Sequence, residues 1–467
     1  MNRRDFLAAA AVAALSPRSW GQAPQPVRIT VDRSRTLGTI RPDFMGLGYE
    51  ISSDAADGPL DGGSQVYEQL VRTLGPGGVI RVGGNTSDYS SFSPRGKSVA
   101  TSKGTVLNEE DLKGLGKFLD ATGWKLIWGL NLGSRSPEDA VAEAKAVTAI
   151  AGTRLLAFEI GNEPDLFVHE GHRKGPYAYA DYLGEYRRYR QAIRQILPNA
   201  PFAGPDVAGN LDWVKQFAAD EGNGLQLLTC HYYREGQNPS STLEKLLHPD
   251  PKLLSRLEAM RAAGESAHLP FRVCETNSFS GGGRPGVSDS FGAALWVMDF
   301  MFTLAQGGAA GVNIETGLNQ LDRISSYSPL RGDASSGYSV GPDYYGMLAF
   351  AQATPGKMIG LDLEAAGLLV TAYAVEKEGG AVTVSVINKE PVRDASVRIH
   401  LDRTAEATAA WLKAPRLDSL EGATFAGSAI AGDGSWRPKS TQKLRLQGGE
   451  CELLVPAASA VVLTFKG

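Results

Sequence analysis

The chain has 467 residues, of which 42% are hydrophobic and 21% charged, and its formal net charge is −4 at pH 7. A chain of this length and composition can bury a large core, and two domains are the natural expectation. Because the net charge is small and no long run of Lys or Arg occurs, the sequence excludes an extended phosphate-binding groove, and nucleic acid is not an expected partner.

The first residues have the pattern of an export signal. Arg3 and Arg4 precede an apolar run from Phe6 to Leu15, and small residues follow as far as Ala23. This pattern is typical of a twin-arginine signal peptide, so we expect residues 1–23 to be removed on export to the periplasm or beyond. The alternative is a membrane anchor, but a span needs about 20 apolar residues and this run is about half as long. No membrane association is expected after cleavage.

Between residues 41 and 354 the sequence alternates short β-rich runs with helical stretches. This alternation predicts a (β/α)8 TIM barrel, an α/β fold built on parallel strands. A doubly wound sheet would alternate in the same way, but no nucleotide-binding loop follows the first run. The eight runs are Phe44–Glu50, Gly78–Gly84, Lys125–Gly133, Leu155–Glu163, Pro201–Val207, Leu225–Tyr233, Phe271–Phe279 and Gly311–Leu318.

Residues 355–467 contain β-rich runs without helical stretches between them. Runs such as Ala381–Asn388 and Ala458–Phe465 alternate with turns rich in Gly, Pro and Asp. This pattern of β-rich runs and turns predicts an all-β sandwich of about 110 residues. Residues 24–40 contain a further alternating run, Val27–Val31, and we expect it to add a strand to that domain.

The sequence has three cysteines, Cys230, Cys274 and Cys451. Because their number is odd, they cannot form a complete disulfide framework. If Tyr232 and Glu275 both face the mouth of the barrel, alternation along their strands turns Cys230 inward and Cys274 outward. We therefore expect these two thiols to be unpaired.

Two carboxylates stand at the ends of predicted barrel strands, where barrel enzymes build their active sites. Glu163 ends the fourth run in the tetrapeptide GNEP, and Glu275 follows Cys274 in the seventh run. Cleavage of a glycosidic bond with retention needs one protonated carboxyl and one carboxylate about 5–5.5 Å apart. We expect Glu163 to be the general acid/base and Glu275 the nucleophile. Mutual repulsion and partial burial should raise the pKa of the acid.

Four blocks of the sequence carry a resemblance to a known family. They are GNEP, TCHYY, IRVGGNTSDYS and the long block ETNSFSGGGRPGVSDSFGAALWVMDF. Together they resemble glycoside hydrolase family 79, the β-glucuronidases and heparanases among the clan A retaining glycosidases. The resemblance implies an enzyme that cleaves β-linked glucuronic acid, so a glucuronide or a uronic-acid-containing oligosaccharide is the expected partner.

The resemblance also implies roles for residues around the two carboxylates. Arg81 would keep the nucleophile ionised, Tyr232 would orient it, and Asn162 would hydrogen-bond the substrate 2-hydroxyl. Independently of the family, successive glycines can aim their N–H groups into one concavity and bind an anion such as a uronate carboxylate. The further expected substrate contacts are Glu50, Asn85, Gly281, Gly282 and Tyr327.

No metal and no organic cofactor is expected. His169 and His172 lack the HExxH spacing of a zinc helix, and no other Cys or His cluster accompanies them in the sequence. Two alternatives remain open at this stage: a clan A β-glycosidase for neutral sugars, such as a xylosidase or glucosidase, and a carbohydrate-binding pseudoenzyme. The sequence does not decide between exo and endo action, and it leaves the natural glycan and the oligomeric state open.

Overall fold

A computed structural model describes residues 26–318, 325–401 and 406–466. The expected signal peptide at residues 1–23 lies outside the described residues. None of the described helices combines the length and the apolar character needed to cross a membrane.

The catalytic-domain candidate is a barrel of eight parallel strands, which confirms the predicted TIM barrel. Strand β1 (Val27–Ile40) precedes it. The barrel strands are β2 (Met45–Glu50), β3 (Val79–Gly83), β4 (Lys125–Leu130), β5 (Leu155–Ile160), β6 (Ala203–Val207), β7 (Leu227–Tyr233), β8 (Phe271–Asn277) and β9 (Gly311–Glu315). The order around the barrel is β5-β4-β3-β2-β9-β8-β7-β6, and a parallel bridge between Phe158 and Phe202 closes the ring between β5 and β6.

Helices connect the barrel strands and cover them from outside. Helix α2 starts at a capping box in which Asn108 and Asp111 satisfy each other's backbone N–H groups. Helix α8 is apolar on nearly all sides because other elements surround it. The helices are α1 (Gln65–Thr73), α2 (Glu109–Thr122), α3 (Pro137–Ala151), α4 (Tyr179–Ile196), α5 (Leu211–Glu221), α6 (Leu243–Leu247), α7 (Pro251–Ala267), α8 (Phe291–Gln306) and α9 (Pro342–Ala353).

Two small strand pairs lie in loops after barrel strands. Ser91–Phe92 pairs with Val106–Leu107 after β3, and a hairpin of β10 (Leu330–Asp333) and β11 (Gly337–Val340) precedes α9. The first pair lies in the segment that leads from the mouth of the barrel to helix α2, and both are local features of the loops.

The remaining strands form one mixed sheet at the C-terminal end of the chain. The strands are β12 (Gly356–Glu364), β13 (Val370–Glu376), β14 (Val382–Asn388), β15 (Ala395–His400), β16 (Glu406–Lys413), β17 (Thr424–Phe425), β18 (Gln442–Arg445), β19 (Glu450–Val455) and β20 (Ser459–Phe465). Their order, together with β1, is β17-β16-β20-β14-β13-β12-β1-β15-β19, with β18 paired to β16. Strand β1 lies inside this sheet, antiparallel to β12 and parallel to β15.

One apolar core holds the two ends of this sheet together. Val397 of β15 and Cys451 of β19 pack in the same buried cluster as Ala409 of β16 and Leu463 of β20. Because strands from both ends of the order share one core, the sheet folds over on itself as a sandwich does.

A buried ionic contact fixes the β domain against the barrel. Asp299 of helix α8 accepts hydrogen bonds from Lys389 (2.7 Å) and Tyr373 (2.8 Å) of the β domain. The Lys389 side chain is only 1% exposed.

Candidate active site

A cavity of about 680 Å³ opens at the carboxyl ends of the barrel strands, which is where barrel enzymes carry out their chemistry. Seven of the ten residues that the sequence points to line its wall: Glu50, Asn85, Glu163, Glu275, Gly281, Gly282 and Tyr327. Leu166, His169, Glu170 and Glu235 also line it, so its outer wall carries further acidic side chains.

Glu163 is held at the mouth by an unusual backbone conformation. Strand β5 ends at Ile160, and Glu163 has a φ of 49°, in the left-handed region, just before a short helical turn at Pro164–Leu166. Its backbone N–H donates to the carbonyl of Asp206 (3.0 Å), which ties the residue to β6. Burial and the charge of Glu275 raise the pKa of Glu163, although a 2.8 Å hydrogen bond with His231 Nδ1 opposes the shift.

Glu275 faces Glu163 across the floor of the cavity. Arg81 Nη1 donates to Oε2 of Glu275 (2.8 Å) and the Tyr233 hydroxyl donates to Oε1 (3.0 Å), so both oxygens have fixed donors. One carboxylate oxygen of Glu275 lies within 4.8 Å of one of Glu163. Retaining glycosidases hold their two carboxyl groups about 5–5.5 Å apart and inverting enzymes about 6.5–9.5 Å apart. The spacing fits the retaining class.

The prediction that Tyr232 orients Glu275 is wrong by one residue. His231 and Tyr233 point into the barrel, so the alternation of the strand turns Tyr232 outward. Its ring stacks on Phe300 of α8 (5.5 Å between centroids), and its hydroxyl donates to Asp250 (2.6 Å). Tyr233 is the tyrosine that contacts Glu275.

The predicted directions of the two strand cysteines are reversed. Cys230 lies on the same outward side of β7 as Tyr232. The Cys274 thiol points inward and donates to Asp206 Oδ1 (3.1 Å). The cause is a bulge, since the register of β8 against β7 steps from Val273 directly to Glu275, which lets consecutive side chains face the barrel interior. The described structure has all three cysteines as free thiols.

Arg81 lies beneath the cavity and connects several strand ends. Its side chain is fully buried, and besides Glu275 it donates to Glu159 Oε2 (3.2 Å), Asp206 Oδ2 (2.7 Å) and Asn162 Oδ1 (2.8 Å). Asn162 is therefore held behind the wall of the cavity, where its Nδ2 also donates to Asn85 (2.9 Å).

Gly83, the last residue of β3, makes room for the side chain of Arg81. A Cβ atom at Gly83 would lie 2.8 Å from Arg81 Cζ, which is closer than real contacts allow. Any side chain at this position would displace the guanidinium, so the short pair of glycines in IRVGGN has a steric reason.

Sequence reasoning missed a buried pair, His231 and Asp206. His231 Nε2 lies 2.8 Å from Asp206 Oδ1, and its Nδ1 lies 2.8 Å from Glu163. Although burial opposes each shift, their mutual attraction raises the pKa of His231 well above its ordinary value and, with Arg81, lowers that of Asp206. The available signal was a polar residue at the end of each strand run, in GPDV and TCHYY.

Glu50 and Asn85 line the same cavity from the ends of β2 and β3. Glu50 accepts hydrogen bonds from the backbone N–H of Thr86 (2.8 Å) and from its hydroxyl (2.7 Å). Burial, together with the charge of Glu275, raises the pKa of Glu50 to about 7. Near neutral pH this carboxyl can therefore donate or accept a hydrogen bond to a bound hydroxyl group.

The glycine run after β8 has a backbone conformation that favours glycine. Gly281, Gly282 and Gly283 have φ angles of 80°, 90° and 76°, which few other residues adopt. Gly281 and Gly282 line the cavity together with Tyr327, whose buried ring stacks on that of Tyr233 at 6.3 Å.

Comparison with known proteins finds a β-glucuronidase and a heparanase among the relatives of this chain. The chain is 26% identical over 363 residues to a β-glucuronidase of Aspergillus niger, which covers 70% of this chain and 66% of that protein. It is 26% identical over 258 residues to heparanase of Bos taurus, which covers 52% of this chain and 45% of that protein. These matches confirm the resemblance carried by the four sequence blocks, and the chain spans just under two thirds of the Aspergillus protein. No protein-family model matches.

Solved structures of glycosidases agree with the fold over nearly the whole chain. A 4-O-α-L-rhamnosyl-β-D-glucuronidase from Fusarium oxysporum superimposes with a TM-score of 0.77 over 94% of this chain and 100% of that one. The sequences are 19% identical, so this likeness shows the fold alone.

Replacing Arg81 should destabilise the protein in a pH-dependent way. In Arg81→Met, the buried carboxyl of Glu159 loses its cation, so its pKa rises further above that in the unfolded chain, whereas Asp206 keeps His231 as a partner. Such a group favours folding only while protonated, so its contribution is lost as pH rises. Burial already raises the pKa of Glu159 to about 7 with Arg81 present. We expect a loss of at least about 3 kcal/mol at pH 8 and a smaller loss at pH 5.

Urea unfolding at the two pH values measures this difference. The matched control is Arg416→Met, which removes an exposed guanidinium paired with Asp418 and should change stability by less than about 1 kcal/mol at either pH. Equal losses for Arg81→Met at pH 5 and pH 8 would show that the buried carboxylate of Glu159 is not what Arg81 stabilises.

Proposed function

We propose that this chain is a retaining glycoside hydrolase that releases β-linked glucuronic acid. The observation that carries the proposal is the facing pair of Glu163 and Glu275, whose nearest oxygens lie within 4.8 Å of each other in the wall of one sugar-sized cavity. The relatives named β-glucuronidase and heparanase support the choice of sugar.

The reaction follows from the positions of the two carboxyls. The Glu275 carboxylate attacks the anomeric carbon while Glu163 gives its proton to the glycosidic oxygen, so the aglycone leaves and a glycosyl ester forms on Glu275. Glu163, now a carboxylate, takes a proton from water, and the hydroxide cleaves the ester. Glu163 regains its proton, Glu275 regains its charge, and the sugar leaves with its anomeric configuration retained.

The surroundings of each carboxyl suit its role. Glu275 accepts from Arg81 and Tyr233 at its two oxygens, which fixes its orientation without the cost of ordering it during the reaction. The raised pKa of Glu163 favours its protonated form, which is the form that a general acid needs. Formation of the ester removes the negative charge of Glu275, so the pKa of Glu163 falls. Glu163 is then a carboxylate and can serve as the base.

The glycine run is the proposed site for the uronate carboxylate. Successive left-handed glycines aim neighbouring N–H groups into one concavity, which binds an anion without a charged side chain. Gly281 and Gly282 reach the cavity, and Tyr327 lies beside them. Asn85 and Glu50, which line the same cavity, are then placed to contact hydroxyl groups of the same sugar.

A panel of aryl β-glycosides tests the proposal. We expect the β-glucuronide to be hydrolysed with the highest kcat/KM, and proton NMR of the first product should show the β-anomer. A preference for the xyloside or glucoside would mean that the glycine run does not bind a carboxylate and that the neutral-sugar alternative holds. No hydrolysis of any substrate would favour the carbohydrate-binding pseudoenzyme.

The two carboxyls should respond differently to substitution. Glu275→Gln removes the nucleophile, so turnover should fall at least about a thousandfold whatever the leaving group. Glu163→Gln removes the acid, and the loss should be about 10²–10⁴-fold for a poor alcohol leaving group but smaller for a dinitrophenol that needs no proton. The measurement is kcat/KM for both substrates. Near-native turnover by Glu275→Gln would disprove the assignment of the nucleophile.

The neighbouring tyrosines of β7 provide a matched pair. Tyr233→Phe removes the donor at Glu275 Oε1 and should lower kcat/KM by about tenfold to a hundredfold. Tyr232→Phe removes an equivalent hydroxyl that donates to Asp250, so it should cost about 1 kcal/mol of stability and leave kcat/KM within about twofold. Reversed effects on activity would mean that the register of this strand end is wrong.

A further inference from the structure

A cluster of three potential metal ligands lies directly beneath the catalytic pair. The Sγ atom of Cys274, the Nε2 atom of His231 and the Oδ1 atom of Asp206 lie within 4.8 Å of one another, and we call them the Cys-His-Asp cluster. Each of the three residues is at most 1% exposed. The proposed hydrolysis needs the carboxyls above this cluster but no reaction of the thiol itself.

We propose that the Cys-His-Asp cluster is an inhibitory binding site for Zn²⁺. Sulfur, imidazole nitrogen and carboxylate oxygen are the donors that zinc takes in proteins, whereas Mg²⁺ and Ca²⁺ prefer all-oxygen sites. A cysteine with a histidine and an acid at one point therefore selects a thiophilic divalent cation.

The present separations are close to those of a tetrahedral zinc site. With Zn–N and Zn–O bonds of about 2.0–2.1 Å and a Zn–S bond of about 2.3 Å, neighbouring ligand atoms lie about 3.3–3.8 Å apart. Asp206 Oδ1 is now 2.8 Å from His231 Nε2 and 3.1 Å from Cys274 Sγ. The cluster would have to open by about half an ångström for each of these pairs.

Glu159 is a further buried carboxyl near Cys274, although it is not one of the three residues whose ligand atoms lie within 4.8 Å of one another. Its side chain is fully buried, and among the described residues its Oε1 has no hydrogen-bond partner of normal geometry. Its Oε2 accepts from Arg81 (3.2 Å). Burial raises the pKa of Glu159 to about 7, and the Cys274 thiol is near enough to be one of the groups that oppose this rise.

Binding of zinc exchanges protons for the metal. A zinc ligand must be deprotonated, so Cys274 would release its thiol proton and His231 would release any proton on Nε2, and each proton leaves to solvent. No oxidant or reductant is involved, and a chelator should reverse the binding.

Inhibition follows from the position of His231, and this step rests on the proposed function. His231 Nδ1 bonds Glu163 Oε1 (2.8 Å), and the carbonyl of Asp206 accepts the backbone N–H of Glu163 (3.0 Å). A metal that moves His231 and Asp206 about half an ångström apart displaces both supports of the acid/base. Catalysis tolerates little displacement of such a group.

Titration of the untagged protein with zinc chloride tests the site. Calorimetry should give one Zn²⁺ per chain for the unmodified protein, and Cys274→Ser should weaken binding by about 100-fold or more, since even outer partners of a metal are worth about 10–100-fold. Co²⁺ bound to the unmodified protein should show a thiolate-to-cobalt absorption band. This band keeps the test decisive if the variant does not fold.

The matched control is Cys451→Ser, a buried thiol of the β domain, which should keep zinc affinity, cobalt spectrum and zinc sensitivity of glucuronide hydrolysis. Equal zinc affinity of Cys274→Ser and the unmodified protein would overturn the proposal. It would favour a zinc site formed by Glu163, His231 and Glu275, whose ligand atoms also lie within 4.8 Å of one another. Absence of zinc binding would overturn it too. Zinc binding through Cys274 in a protein without glycosidase activity would support the site and refute the proposed function.

Discussion

The site depends on one buried cation. The guanidinium of Arg81 is fully buried and donates to Glu159, Asn162, Asp206 and Glu275, which come from three different strand ends. An unpaired charge at this depth would cost several kcal/mol, and so would each carboxylate without its cation. Because the planar guanidinium has donors in fixed directions, satisfying all of them sets the positions of these strand ends relative to each other.

The same crowding of charges separates the protonation states that the chemistry needs. Although burial opposes it, His231 and Arg81 lower the pKa of Asp206, so this acid stays ionised and holds the imidazole. Burial and the charge of Glu275 raise the pKa of Glu163, which favours its protonated form. Carboxyls a few ångströms apart thus have pKa values shifted in opposite directions because their partners differ, as is typical of acid/base sites.

Much of this arrangement was readable from the sequence. The alternation of β-rich and helical stretches identified eight barrel strands, because each strand must be apolar where it is buried and polar where it reaches the mouth. That rule placed Glu50, Glu163 and Glu275 at the mouth, and the glycine run followed from the conformations that glycine alone adopts easily. The expected signal at residues 1–23 stays a prediction.

Facing directions near the strand ends were decided by the tertiary structure. Tyr232 and Tyr233 are equivalent in sequence, and only the pairing of β7 with its neighbours shows which one reaches Glu275. The bulge at Cys274 breaks the period of two that the sequence argument used. Composition and local pattern therefore determined the barrel and its two carboxyls, because burial acts on each residue separately. The buried network around His231 depends on charges brought together from distant parts of the chain, so only the folded structure decided it.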